Sequence, residues 1–408
     1  MNEKNENFNG LEIKYLFKER KYDCKYLIVI FSGFGATNNF TYDLRNVLKD
    51  VYANVLWIKD DFNENCAYYY AVKNKRIDTI INDFILQKAN EIGILKENII
   101  LSGFSKGGSA AIYYGIKFDY NHIISTVPQL RIADYCRDMH ADVLYHIIGN
   151  SYQENEFNTL NNIVIDALNK DKNKNRNIYL LTSEADDQYE YHIKPYINKF
   201  GKYTNFNMFI SDSILVRAHN QVTSHHIQLI LSWFYALIND VVPRFGFNVI
   251  QGDAKKTIST IDFEDTVSCL KKLNIEGKVI YPEGVALIRG IDFEEWGDVN
   301  YSLIFESKEE YKEFPIAKAS RANLTREYYN GYYCCYDKAW FCTKAYSGLD
   351  LSDLKYGLYD LKIKINASKY KKSIILNLTT DILNMVSDEN FEFFKDVKGN
   401  VKLNIKNI

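Results

Sequence analysis

Proline is scarce in this chain, with five in 408 residues alongside twenty glycines, which excludes a fibrous or linker-dominated protein. Net charge is equally meagre: 50 Lys and Arg stand against 52 Asp and Glu, a formal −2. No basic field is therefore available to gather nucleic acid or an anionic membrane by charge alone. No apolar run approaches the roughly 20 residues that cross a bilayer. The N-terminus, MNEKNENFNGLEIKY, lacks the apolar stretch of a signal peptide. The seven cysteines are odd in number and show no CxxC spacing; Cys334 and Cys335 are adjacent. That pattern reads as reduced thiols in a cytoplasmic protein, with neither a disulfide framework nor a zinc site, so no metal is expected. Histidine is absent beyond residue 226. A hydrolytic or acyl-transfer enzyme would then draw its proton-exchanging base from the first part of the chain.

What is present is apolar and aromatic. Apolar residues make up 47% and aromatics 15%, which fits packed domains, and the length suits two of them. Up to about residue 240, short apolar runs alternate with helical patterns. Leu27–Phe31, Asn54–Ile58, Asn98–Leu101, His122–Val127, Ile178–Thr182 and Phe206–Ile210 read as buried strands. Thr79–Ile92 and Val222–Ile238 carry apolar residues at helical spacing. Strands alternating with helices predict an α/β domain with a mostly parallel sheet. After Pro243 the period becomes two: Leu361, Ile363 and Ile365 alternate with lysines, and Val401, Leu403 and Ile405 with Lys402 and Asn404. These half-exposed strands predict an antiparallel β-sandwich. A helical bridge is expected through Asp262–Leu273, and turns at Gly284 and Tyr356-Gly357. Proline disfavours helix at the residue before it, so Val241–Phe247 marks the boundary, giving domains 1–242 and 243–408. The stretch Asn169–Asn177 reads as a solvated loop.

The most informative segment is NIILSGFSKGGSAAIYYG, Asn98–Gly115. Gly103-Phe104-Ser105-Lys106-Gly107 matches G-x-S-x-G, with an apolar strand before it and a small-residue helix after it. That is the context a nucleophile elbow requires, because strand and helix approach too closely for side chains two positions either side of the serine. Ser102 would put Ile100 and Phe104 in those tight positions, and Ser109 lies within the helix. Ser105 is the expected nucleophile.

The acid and base should follow in the order Ser, Asp/Glu, His. The loop after Ile178–Thr182 carries Glu184, Asp186 and Asp187. Asp186 is the choice, Asp187 the close rival and Glu184 a distant one. Between the last strand and the last helix lies His219, with His225 second. His122, His140, His146 and His192 fall in the wrong order and are expected to be structural or surface residues. Two backbone N–H groups should face the developing oxyanion. One belongs to Lys106, and the other to Phe31–Thr37, with Phe34 the expected donor and Gly33 or Gly35 the alternatives. Those two glycines also let the backbone approach the substrate. The Lys106 side chain is expected to point out of the elbow, toward an anionic group or solvent. The tyrosines of Cys66–Tyr70, Tyr69 among them, either line an acceptor cleft by stacking on sugar rings or are buried beside the sheet.

Residues Tyr26 to Leu237 resemble an α/β-hydrolase branch found in bacterial surface-glycan loci. They are similar to capsule-polysaccharide biosynthesis proteins of the XcbB/CpsF type and, more distantly, to accessory-secretion acetyltransferases that modify glycoproteins. The resemblance rests on Phe31–Gly35, Ser102–Ala111, Val127–Gln129, Thr182–Tyr189 and His219–His226. It implies an acid in a D-x-Q-[YF] element, which falls on Asp186–Tyr189, and a histidine opening an H-x-x-V element, His219–Val222. The segments Tyr336–Phe341, Gly348–Ser352 and Tyr356–Tyr359 resemble accessory β-sandwich domains of surface-polysaccharide enzymes, with Trp340 where a glycine is often seen.

The expected function is a serine acyl-ester enzyme acting on a glycan, with association with capsule-biosynthesis machinery implied by the resemblance. Transfer to a sugar hydroxyl makes it an O-acetyltransferase, for which acetyl-CoA would be the acyl donor and no bound cofactor is needed. Transfer to water makes it a carbohydrate esterase. The alternative from another class is a non-catalytic scaffold or glycan-binding subunit. No long apolar lid suggests a lipase.

Overall fold

The computed structural model describes residues 1–35, 40–251, 265–329 and 333–406. The chain forms two compact units, Met1–Gly252 and Asp253–Ile408.

The first unit is built on nine of its eleven strands among the described residues: β1 (Lys4–Phe8), β2 (Leu11–Lys18), β3 (Leu27–Phe31), β4 (Asn54–Ile58), β7 (Ile99–Phe104), β8 (His122–Thr126), β9 (Asn177–Ser183), β10 (Asn205–Asp212) and β11 (Phe247–Gln251). The remaining two, β5 (Ala71–Val72) and β6 (Lys75–Arg76), form a small separate hairpin. The large sheet runs β1-β2-β4-β3-β7-β8-β9-β10-β11. The β1–β2 and β2–β4 pairs are antiparallel and all others parallel. The order reverses at β3 and β4, and this arrangement with its strand–turn–helix elbow is α/β-hydrolase-like.

The central strands read as unbroken apolar runs because both faces are covered. Along β3, Leu27, Val29 and Phe31 join one core while Ile28 and Ile30 join the other. Helices α1 (Asp78–Glu91), α2 (Lys106–Lys117) and α5 (Glu154–Lys170) cover the first face. The second is covered by α7 (Ile227–Ile238) through Ile230, Trp233, Phe234 and Leu237. Two short helices, α3 (Ile132–Met139) and α4 (Ala141–Ile148), follow β8.

Three expectations change in this unit. Val222–Ile238 is not one helix: α6 (His219–His225) and α7 meet at His226, whose ring bonds Ser211 Oγ and the Val222 carbonyl. The boundary lies beyond 242/243, because β11 pairs in parallel with β10. The stretch after α5 is not wholly solvated either, since Arg176 is buried and binds Asp171 at 2.6 Å.

The second unit is largely antiparallel. Strand Gly357–Ala367 alternates buried and half-buried residues, as Leu361, Ile363 and Ile365 dictate. Among the described residues, the unit's ladders connect eleven strands. Within it, strand Tyr311–Ala319 pairs with Val299–Glu306 through Tyr311–Ile316, then with Trp340–Cys342 through Ala317–Ala319. The helical bridge is corrected: Thr266–Glu276 is a strand antiparallel to Val279–Ile288, and residues 252–264 lie outside the described ones. Its register shifts between Leu270 and Lys272. The extra residue of that irregularity lets Leu270 and Leu273, three apart, both face the core, which imitates helical spacing. Gly284 is no turn; it sits within its strand, where a Cβ would lie 2.2 Å from the Cys269 carbonyl oxygen. Among the described residues, no helix is long and apolar enough to cross a membrane.

Candidate functional site

The turn between β7 and α2 is as tight as its glycines imply. A Cβ on Gly103 would lie 2.3 Å from the Gly107 carbonyl, and one on Gly107 would lie 2.1 Å from the Phe31 carbonyl oxygen. Ser105 between them has φ 54° and ψ −121°, a strained conformation for a residue with a side chain. Its N–H bonds the Thr126 carbonyl at 2.9 Å, and it is nearly fully buried.

His219 opens α6 rather than lying in the loop before it. Its Nδ1 lies 3.0 and 2.9 Å from the two carboxylate oxygens of Asp186. The Asp186 side chain is fully buried, and Oδ1 also accepts the Gln188 N–H. Asp187 and Glu184 are exposed. Burial first, and the neighbouring Asp186 second, push the Asp187 carboxyl above its ordinary range. His219 Nε2 is buried with no hydrogen-bond partner among the described residues. The ring packs against Phe104, the residue before Ser105, at 5.3 Å between centroids. Ser105 and His219 share no hydrogen bond in this conformation; such bonds often form only when substrate is bound. Asp186, Asp187 and His219 also bring three ligand-type atoms within 4.8 Å, but Nδ1 of the histidine is already engaged by Asp186.

The loop after β3 reaches the same place. A Cβ on Gly33 would lie 3.0 Å from the Phe104 ring and 3.1 Å from its carbonyl oxygen. The Gly33 N–H is committed to Asp43 Oδ2 at 2.6 Å, so this alternative oxyanion donor is removed. The Phe34 N–H has no partner among the described residues, and Gly35 is exposed. Ala36 and Thr37 lie outside the described residues. The Phe34 ring stacks on His140 at 4.3 Å. Both border a cavity of about 150 Å³ lined also by Thr41, Glu64, Cys66 and Asp142. His140, set aside on chain order, is therefore a neighbour of the site. Burial pushes the Cys66 thiol up to about 12, which leaves it protonated and unreactive.

One expectation fails here, and one pair of alternatives is decided. The Lys106 side chain does not point outward; it is fully buried and binds Asp60 Oδ2 at 2.5 Å. Burial alone would lower its pKa, but the Asp60 carboxylate raises it overall. Tyr69 does not line an open cleft. It is fully buried, its hydroxyl accepting the Ser32 N–H at 2.7 Å and donating to the Ile58 carbonyl at 2.8 Å. Gln129, which closes the Val127–Gln129 segment but was given no role from the sequence, has no exposed surface. It accepts the Tyr68 hydroxyl at 2.5 Å and donates to Gln188 at 3.1 Å, linking the tyrosine loop to the Asp186 loop. The other early histidines are structural: His122 and His192 are buried, and His146 Nε2 lies 2.7 Å from the Phe62 carbonyl oxygen.

No family model matches the chain, and no curated protein does. Solved structures share its shape distantly. The capsule O-acetyltransferase of Neisseria meningitidis serogroup A has a TM-score of 0.44 at 19% identity, over 57% of this chain and 96% of its own. The glycosylation-associated Gap123 complex of Streptococcus agalactiae has 0.46 at 18%, over 60% of this chain and 47% of its own. The fluorophosphonate-binding serine hydrolase FphF of Staphylococcus aureus has 0.44 at 12%, over 59% and 98% respectively.

Proposed function

We propose that this chain is a serine acyl-ester enzyme with Ser105 as nucleophile, His219 as base and Asp186 as the acid that orients it. The observation that carries this is the buried Asp186 carboxylate on His219 Nδ1, with Nε2 unpartnered beside an elbow whose serine has φ 54°. A neutral imidazole whose Nδ1–H is donated to a carboxylate presents Nε2 as the proton acceptor.

In the first half-reaction Ser105 Oγ bonds to the acyl carbon as His219 Nε2 takes its proton. The carbonyl electron pair moves to oxygen, where the Lys106 and Phe34 N–H groups receive the charge. Collapse re-forms the carbonyl and breaks the bond to the leaving group, which takes the proton from His219. An acyl-Ser105 ester remains. In the second half-reaction an acceptor hydroxyl gives its proton to His219 and attacks the ester; collapse breaks the bond to Ser105 Oγ, which takes that proton back from His219. With a sugar hydroxyl as acceptor and acetyl-CoA as donor the reaction is O-acetyl transfer to a bacterial surface or capsular glycan, the reading toward which the resemblance to surface-glycan-locus proteins leans. With water as acceptor it is ester hydrolysis. We further propose that the second unit is a β-sandwich accessory domain that holds glycan or a biosynthetic partner.

The test is a fluorophosphonate probe on wild type, Ser105→Ala and His219→Ala. Wild type is expected to label, Ser105→Ala not at all and His219→Ala at least about 100-fold more slowly. Equal labelling of wild type and Ser105→Ala, or none in folded wild type, would reject the nucleophile. Acetyl-CoA with capsular glycan then separates the acceptors: acetyl released to water faster than to any sugar would reject transfer.

A further inference from the structure

The buried ion pair under the elbow is costly and the reaction above does not use it. Taking a lysine and a carboxylate out of water is strongly unfavourable for each ion, and an apolar pair of similar volume is often no less stable. Stability alone is thus a poor reason for Lys106 and Asp60. Asp60 follows β4, and its carboxylate accepts four donors: Lys106 Nζ and the backbone N–H groups of Ala67, Tyr68 and Tyr69. Those bonds hold Tyr68 and Tyr69 at φ 51° and 54°, a left-handed conformation that bulky side chains rarely adopt and that persists only where the surroundings impose it. The strained turn aims the Tyr69 hydroxyl at the Ser32 N–H, 2.7 Å away, and at the Ile58 carbonyl. Ser32 leads directly into Gly33 and Phe34. The Lys106 ammonium meanwhile faces the Phe34 ring at 5.3 Å and the Tyr69 ring at 5.2 Å. The loops after β3, β4 and β7 are therefore tied at one ammonium. Two of them carry the amides assigned above to the oxyanion.

We infer that Lys106, Asp60 and Tyr69 are positioning residues that hold the Lys106 and Phe34 N–H groups in register for the oxyanion. This inference rests on the proposed acyl-enzyme chemistry. The side chain of Lys106 contributes by fixing its own backbone amide and by pinning the Phe34 loop, and it touches no reacting atom.

The test measures the rate of phosphonylation by a fluorophosphonate, resolved into kinact and KI, because the phosphonyl oxygen draws on the same amides. The double variant Lys106→Met with Asp60→Asn removes both charges while keeping every backbone N–H. Tyr69→Phe removes only the hydroxyl. Each variant is first checked for a melting temperature within a few degrees of wild type. In either folded variant, kinact is expected to fall about 10- to 100-fold with KI changed less than about threefold. A purely structural role would lower the melting temperature and leave kinact of the folded protein untouched. Wild-type kinact in a folded variant would overturn the inference while the labelled wild type upheld the nucleophile. Wild type that does not label at all would overturn both.

Discussion

Asp186 and Asp187 are adjacent in the chain and opposite in circumstance. One is buried and faces an imidazole; the other is exposed. The chain order of acids and histidines leaves both open, because a one-residue difference in a loop has no periodic signature. The substitution Asp186→Asn keeps the shape but favours the wrong imidazole tautomer, and kcat is expected to fall about 10³- to 10⁴-fold. Asp187→Asn is expected to change it less than about threefold, measured by turnover of an activated acetyl ester. The reverse order would reassign the acid. The tight turn at Ser105 and the approach of His219 to Asp186 were legible because their sequence contexts are distinctive. Lys106 was not: a lysine in a tight turn reads as exposed, and only a carboxylate from another loop, Asp60, makes its burial tolerable.

At the scale of elements, the alternation of apolar runs gave β3 and β4 with their exact ends, and β7 to β10 within a few residues. The glycine spacing of the elbow has a direct steric cause. Gly107→Ala would drive a Cβ to 2.1 Å from the Phe31 carbonyl oxygen, which cannot be relieved without separating α2 from β3. It is expected to cost about 3 kcal/mol or more, read as a lower urea midpoint. Unchanged stability would show that helix and strand are further apart than described. The strand at Thr266–Glu276 was misread because its local irregularity shifts the apolar period from two to three. The edge strand β11 escaped notice because it is short and lies beyond the proline that marked the boundary.

For the whole molecule, two separately cored units were legible from the change of period, while the connection of the second unit's ladders was not, since pairing partners are remote in sequence. One property belongs to the folded chain as a whole. Burial lowers the pKa of both His122 and His192 from 6.5 to about 4. Between pH 6.5 and 4 the unfolded chain binds these protons and the folded chain does not. Their contribution is therefore complete above pH 6.5 and is lost as pH falls toward 4. Each accounts for on the order of 3 kcal/mol across that range. The melting temperature is expected to drop on acidification through this window, and His122→Asn to flatten the slope. A slope unchanged by the substitution would show that His122 is protonated in the fold.

The chemistry stands or falls on which atom becomes covalently modified. Wild type treated with a fluorophosphonate, digested and analysed by tandem mass spectrometry should carry one phosphonyl group, on the Oγ of Ser105. An adduct on any other residue, or none on folded protein, would contradict the serine mechanism.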